Sequence, residues 1–199
     1  HLISCKDEEE VLGKMAQYVQ PEDQVLTTVK KNKLGTKALN CILQEKTQSF
    51  CTSFGDTDFY KGNRIIMTET NYKNGYFNGD MGIILGMDEN GLIVRFEDKV
   101  LCLMREDISC MKLAYAITTH KAQGSEFSRV HIILPKNFPS MLTRRMLYTA
   151  ITRASKEVFL YSIENSYSIA IENTQEKKRT TLLEKKISKI AAKNNFLSY

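Results

Sequence analysis

Over residues 6–19 the apolar positions Val11, Leu12, Met15, Tyr18 and Val19 recur at helical spacing. Acidic residues fill the first turn, where they suit the helix dipole, and Pro21 ends the segment. Residues 24–29 then read as a strand, 30–35 as a polar basic loop, and Leu39, Ile42 and Leu43 mark a helix running to about residue 46. Strand, loop and helix make one βα unit of an α/β sheet. From residue 61 to 111 the pattern shortens into strands at 64–68, 81–87, 92–96, 100–104 and 108–112, with no convincing helix. Asn74-Gly75, Asn78-Gly79-Asp80, Asn90-Gly91 and Glu97-Asp98 supply the turns. This spacing predicts a small β-barrel inserted between two parts of the α/β sheet.

The longer pattern returns with the apolar run 113–117. Residues 130–134 and 158–163 are continuous apolar stretches, as buried parallel strands require. Between them a helix is predicted over 140–154. Leu142, Met146, Leu147, Ala150, Ile151 and Ala154 face the sheet, while Arg145, Thr149 and Arg153 line another face. Helices at 167–172 and 179–190 follow.

Composition narrows this picture only modestly. The chain has 199 residues and is 42% apolar, enough for one core or two small ones. Lys and Arg number 28 against 23 Asp and Glu, a net charge of +5 that suits nucleic acid without singling it out. The basic residues gathered over 177–193 read as a solvated tail. Five cysteines with no C-x-x-C spacing indicate reduced thiols rather than a disulfide framework or a zinc site, so no metal ligands are expected and a cytoplasmic location is. No apolar run is long enough to span a bilayer, and the first residues are not a signal peptide, so no membrane partner is expected. A first residue of His rather than Met suggests a fragment.

Two segments concentrate the chemistry. Thr118, Thr119, His120, Lys121, Ala122, Gln123, Gly124, Ser125 and Glu126 follow a strand, and a strand end is where α/β sheets place ligands. Thr118, Thr119, His120 and Lys121 offer hydroxyl, imidazole and ammonium donors for phosphates. Gly124 permits close backbone approach, and the Glu126 carboxylate can accept from ribose hydroxyls. The second segment, Tyr148 to Ala154, ends its helix on Arg153, which can stabilise charge on a γ-phosphate. Taken singly, His120 also reads as a satisfied surface histidine, Arg153 as a solvated helix-end cation and Glu126 as a surface acid. The aromatic, amide-rich loop with Asn71 and Tyr72 can stack on bases, or its rings can cover the barrel core.

The run Ala114-Tyr-Ala-Ile-Thr-Thr-His-Lys-Ala-Gln-Gly-Ser-Glu-Phe127 resembles motif V of superfamily 1 helicases, and Leu147-Tyr-Thr-Ala-Ile-Thr-Arg-Ala154 resembles motif VI, both in UvrD-like form. The H-K-x-Q-G-x-E arrangement is most similar to the RecD/TraA branch. Residues 24–28 with Gly35, Leu39 and Asn40 resemble the motif IV region, although Thr28 stands where that family often has proline. Asn71-Tyr72 followed by residues 77–82 resembles the Src-homology-3-like barrel of RecD-type enzymes, and residues 170–183 their C-terminal segment.

The resemblance implies an α/β fold: a RecA-like second motor domain, of the P-loop NTPase type, over 1–56 and 113–199, with the barrel inserted at 57–112. It implies single-stranded DNA contacts at Thr118 and His120 with Lys121 nearby. Gln123, Gly124 and Glu126 would face the nucleotide, Arg153 the γ-phosphate, and Tyr148 would support Arg153. Similar proteins are ATP-driven helicases moving 5′ to 3′ on DNA, some of them the alpha subunit of exodeoxyribonuclease V.

No G-x-x-x-x-G-K-[ST] loop occurs, and Lys33-Leu-Gly-Thr-Lys37 is only a loose echo of one. ATP and Mg²⁺ are therefore expected to need an N-terminal RecA-like domain of the same protein, with nothing bound to this segment alone. Single-stranded DNA and RecB/RecC-type or nuclease subunits are the implied partners. The alternatives are the motor half of a conjugative relaxase-helicase, or a non-catalytic nucleic-acid-binding module.

Overall fold

A computed structural model describes residues 1–44, 49–136 and 139–174, together with 187, 188 and 190. In chain order its first elements are β1 (Leu2–Cys5), α1 (Glu8–Tyr18), β2 (Gln24–Thr27), α2 (Thr36–Leu43), β3 (Phe50–Phe54) and β4 (Thr57–Tyr60). Next come β5 (Arg64–Met67), β6 (Met81–Met87), β7 (Leu92–Arg95), β8 (Val100–Leu103), α3 (Arg105–Ile108) and β9 (Met111–Leu113). The last are β10 (Ala116–Thr118), β11 (Phe127–Leu134), α4 (Arg144–Ile151), β12 (Ala154–Ile163) and α5 (Ser166–Glu172).

Adjacent residues on the long strands point to opposite faces, and that sets the layering. Leu26, Ile132 and Leu160 join a core with Leu142, Met146, Leu147 and Ala150 on one side of the sheet. Their neighbours Val25, Ile133 and Tyr161 join Val11, Met15 and Leu39 on the other. The sheet between is parallel throughout, in the order β1-β12-β11-β2-β10. Local chemistry starts its helices: the Asp7 side chain accepts from the Glu10 amide to begin α1, and Thr143 Oγ1 accepts from the Met146 amide at 3.1 Å to begin α4.

The second sheet is antiparallel, ordered β8-β7-β6-β5-β9, with its own core around Phe59, Ile65, Ile84, Val94 and Leu103. It arises between α2 and β10, as the change of pattern after residue 60 predicts. A buried carboxylate fixes its long aromatic loop. Asp107 accepts from Asn74 Nδ2, from the Tyr76 hydroxyl at 2.8 Å and from the Met104 amide. Burial, with the Asp107 contact, pushes the Tyr76 phenol up to about 12.

Several expectations are corrected. The strand expected over 108–112 is α3 followed by β9, because Asp107 caps its own turn before the chain extends. The apolar run 113–117 is two strands in two sheets. The strand expected over 24–29 ends at Thr27, and β1 and the β3–β4 hairpin were not foreseen. The helix expected over 140–154 is the shorter α4, capped at Thr143 and Thr152. The helix expected over 179–190 and the basic tail lie, but for residues 187, 188 and 190, outside the described residues, as does residue 46.

The crossing between sheets takes two residues. The Ala114 amide still donates to the Arg64 carbonyl of β5 at 2.9 Å, while the Tyr115 carbonyl already accepts from the Val25 amide of β2 at 3.1 Å. Side-chain amides bolt the junction. Gln24 Nε2 donates to the Ala114 and Tyr115 carbonyls, and Asn63 Nδ2 donates to the Tyr115 hydroxyl. Asn40 of α2 meets both the Ala116 amide and the Ala116 carbonyl, at 3.0 and 2.7 Å. It thereby closes the outer edge of the parallel sheet as a neighbouring strand would.

Candidate nucleotide and nucleic-acid site

β10 ends at Thr118, and the chain folds at once into a tight turn. Its carbonyl accepts from the Lys121 and Ala122 amides at 2.8 and 3.2 Å, and the Ala122 carbonyl accepts from the Ser125 amide. The fully buried Ala122 pins the turn to the core, so His120, Gln123, Gly124 and Glu126 are turned outward. Gly124 has φ +89°, a conformation that L side chains adopt only with strain, while the space around its α-carbon is open. Glycine is needed there for backbone shape, and the open space leaves the peptide accessible. The Glu126 carboxylate is exposed and engages no partner among the described residues.

Arg153 does not end the helix as expected. It lies one residue past the α4 cap, in the turn leading to β12. That position ties the two motif segments together. Nη1 donates to the Ser125 carbonyl at 3.0 Å, Nε to the Thr149 carbonyl at 3.2 Å, and Nη2 to Thr152 Oγ1 at 3.3 Å. The Arg153 carbonyl in turn accepts from the Phe127 amide. All three acceptors of the guanidinium are neutral and no carboxylate pairs with it among the described residues, which leaves its charge available to an anion. Tyr148, on α4 five residues before Arg153, is 70% exposed.

The expected nucleic-acid residues divide. Thr118 and Thr119 are buried, and Thr119 Oγ1 faces Met146 Sδ at 3.9 Å rather than solvent. His120 is exposed. Lys121 is half-buried, and burial, with Lys112 and then Lys30 nearby, holds its ammonium below the usual lysine range. Asn71 and Tyr72 sit apart, on the antiparallel sheet's loop. Asn71 Oδ1 accepts from the Lys73 and Asn74 amides and so shapes the turn. Tyr72 is 84% exposed and meets Phe77 edge-on at 5.8 Å, and Lys99 lies over the Phe77 ring. Lys30 and Lys112 were not singled out in the sequence, where they lie 91 and 9 residues from Lys121.

The residues present suit the phosphate and sugar end of a nucleotide: a guanidinium on neutral acceptors, an open glycine backbone and a free carboxylate. Among the described residues no group of three or more His, Cys, Asp or Glu side chains lies together as a metal site would require.

Residues 113–161, which span both motif segments, match the UvrD-like helicase C-terminal domain. The class is therefore a helicase C-terminal domain of superfamily 1. Within it the similarity runs to RecD. The chain is 33% identical over 164 residues to the ATP-dependent RecD2 DNA helicase of Deinococcus radiodurans, covering 81% of this chain and 23% of that protein. It is 36% identical over 152 residues to the RecBCD enzyme subunit RecD of Buchnera aphidicola, covering 72% and 25%, and 32% identical over 151 residues to that of Haemophilus influenzae, covering 75% and 23%. The chain thus carries the C-terminal helicase part of a RecD-type protein and spans about a quarter of the length of these curated relatives.

Among solved structures, a pair of Pif1 helicases coordinating at forked double-stranded DNA aligns with a TM-score of 0.56 at 20% identity, covering 83% of this chain and 45% of that one. Bacteroides Pif1 bound to single-stranded DNA gives 0.56 at 18% identity, covering 77% and 43%. These likenesses show the fold, a mixed α/β arrangement on a parallel sheet like that of superfamily 1 motor domains.

Proposed function

We propose that this chain is the second RecA-like motor domain of an ATP-driven 5′–3′ DNA helicase. In this reading residues 1–56 and 113–199 form the motor domain, and 57–112 an inserted Src-homology-3-like barrel. The division at 56/57 falls in the turn of the β3–β4 hairpin. An N-terminal RecA-like domain of the same protein supplies the phosphate loop and the Mg²⁺ ligands, and this chain completes the site, being inactive by itself. The observation that carries the reading is the Arg153–Ser125 contact, which joins the two motif segments at one sheet edge.

ATP bound between the two domains supplies the phosphoanhydride whose cleavage drives movement. On this side Glu126 accepts from the ribose hydroxyls, and Gln123 and the Gly124 backbone line the approach. Arg153 exchanges its carbonyl partners for the γ-phosphate and stabilises the charge that spreads there, with Tyr148 supporting it. The same turn presents His120 and Lys121 to single-stranded DNA phosphates, with Thr118 and Thr119 fixing its backbone. Asn71 holds Tyr72 out for base stacking. RecB/RecC-type or nuclease subunits are the partners this reading carries over from the RecD relatives, which are RecBCD subunits by name.

In the full-length parent, Arg153→Ala is expected to lower ATP turnover about 10³-fold or more, the scale of arginine-finger losses. Turnover near the wild-type rate in a steady-state ATPase assay would overturn the role given to Arg153.

A further inference from the structure

The three acceptors of the Arg153 guanidinium differ in kind. Two are backbone carbonyls, those of Ser125 and Thr149, and the third is the Thr152 side chain. The Thr152 hydroxyl donates its one proton to the same Thr149 carbonyl, at 3.1 Å. Its lone pairs are then left for the guanidinium, whose Nη2 lies 3.3 Å away. One hydroxyl thus bridges the arginine and the carbonyl to which Nε of that arginine also donates, at 3.2 Å.

The backbone keeps this hydroxyl in place. Thr152 is the C-cap of α4, and its amide donates to the Tyr148 carbonyl at 3.0 Å. The Arg153 amide donates to the Ala150 carbonyl at 3.2 Å, so cap and arginine leave the helix as one tightened turn. On turning to a γ-phosphate, Arg153 gives up its two carbonyls. An acceptor left without a donor in a site closed to water is penalised. The Thr149 carbonyl escapes that penalty, because Thr152 still donates to it. Nη2 meanwhile keeps the one partner that has no need to leave.

We propose that Thr152 is a positioning residue for Arg153. Its hydroxyl anchors Nη2 and keeps the Thr149 carbonyl satisfied while the guanidinium moves onto the γ-phosphate. The proposal rests on the motor reading above and adds to it a residue that acts only through the arginine. The anchored geometry matters when charge spreads on the γ-phosphate, so loss of Thr152 is felt in turnover rather than in the KM for ATP.

Steady-state ATP turnover of the full-length parent tests this, with Thr152→Val and Thr152→Ser set beside wild type. Thr152→Val keeps the shape and removes the hydroxyl. It is expected to lower kcat about tenfold, the scale of one hydrogen bond to a charged group, and to leave the KM for ATP unchanged. Thr152→Ser keeps the hydroxyl and is expected to turn over close to the wild-type rate. In an Arg153→Ala background, Thr152→Val is expected to cost nothing more, because the group it positions is gone. Thr152 is exposed, so neither change opens the core. Undiminished kcat in Thr152→Val overturns the proposal, as does a loss carried by KM or an equal loss in the serine variant. A further loss in the Arg153→Ala background also overturns it, and would show that the hydroxyl serves only to cap α4. The two readings fail separately. Wild-type turnover in Arg153→Ala removes the motor reading, whereas a loss there with full activity in Thr152→Val removes only the role of Thr152.

Discussion

At the scale of single residues, His131 is a polar side chain with no exposed surface. It is fully buried on β11, with Nδ1 against the Tyr161 hydroxyl at 2.9 Å, Nε2 against Asp23 Oδ2 at 2.8 Å, and its ring stacked on Phe159 at 4.7 Å. Burial lowers its proton affinity more than Asp23 raises it, so the folded protein favours the neutral ring. The unfolded chain, titrating near 6.5, takes up the proton first. Stability from this group is therefore present above about pH 6.5 and is lost as pH falls from there towards the depressed folded value, by up to about 1.4 kcal/mol per pH unit. Chemical denaturation of wild type and His131→Gln from pH 7.5 downward should show their difference narrowing on the acid side. A difference that widened with acid would mean His131 is buried charged. Nothing in the sequence marked His131, which sits in an apolar run, whereas Gly124, Glu126 and Arg153 were legible because their types and order form a pattern. What the sequence could not supply was the partner of Arg153: the Ser125 carbonyl is 28 residues away and is a backbone atom.

Among the elements, those with a strong period emerged where expected. α1 and α2 follow their apolar stripes, and β5 to β8 follow their alternation and turns. The failures have specific causes. β1 is short and half exposed, so four residues carried too little pattern. α3 escaped because Arg105, Glu106 and Asp107 look like a turn until Asp107 is seen accepting from Met104, Asn74 and Tyr76. Asn40 was noted only as part of a motif, yet it does a strand's work at the edge of β10. Asn40→Ala leaves the buried Ala116 amide and carbonyl without partners, and should cost about 1–3 kcal/mol in urea unfolding. A loss under about 0.5 kcal/mol, the range of ordinary surface substitutions, would show that the edge is held by packing alone.

For the whole molecule the informative place is the step from β9 to β10. Along the sequence, residues 113–117 are one uninterrupted apolar run, and nothing in it announces that the first two residues serve one sheet and the last three another. In space the run joins the inserted sheet to the strand that carries the candidate site, with Ala114 bonded to one and Tyr115 to the other. The step contains no glycine, and Ala114 and Tyr115 each bond to one of the two sheets. A Gly-Ser-Gly spacer placed between Tyr115 and Ala116 should let both sheets fold, yet release the register that aligns Thr118 with Thr27. On the motor reading proposed above, the spacer should uncouple ATP turnover of the full-length protein from DNA, and undiminished stimulation by DNA would show that the junction transmits nothing. Mechanically, one short run of chain leads from the inserted sheet to the site turn, with Ala114 and Tyr115 as the step between them. A displacement of the inserted sheet would be passed to the site turn through the bonds that Ala114 and Tyr115 make to the two sheets.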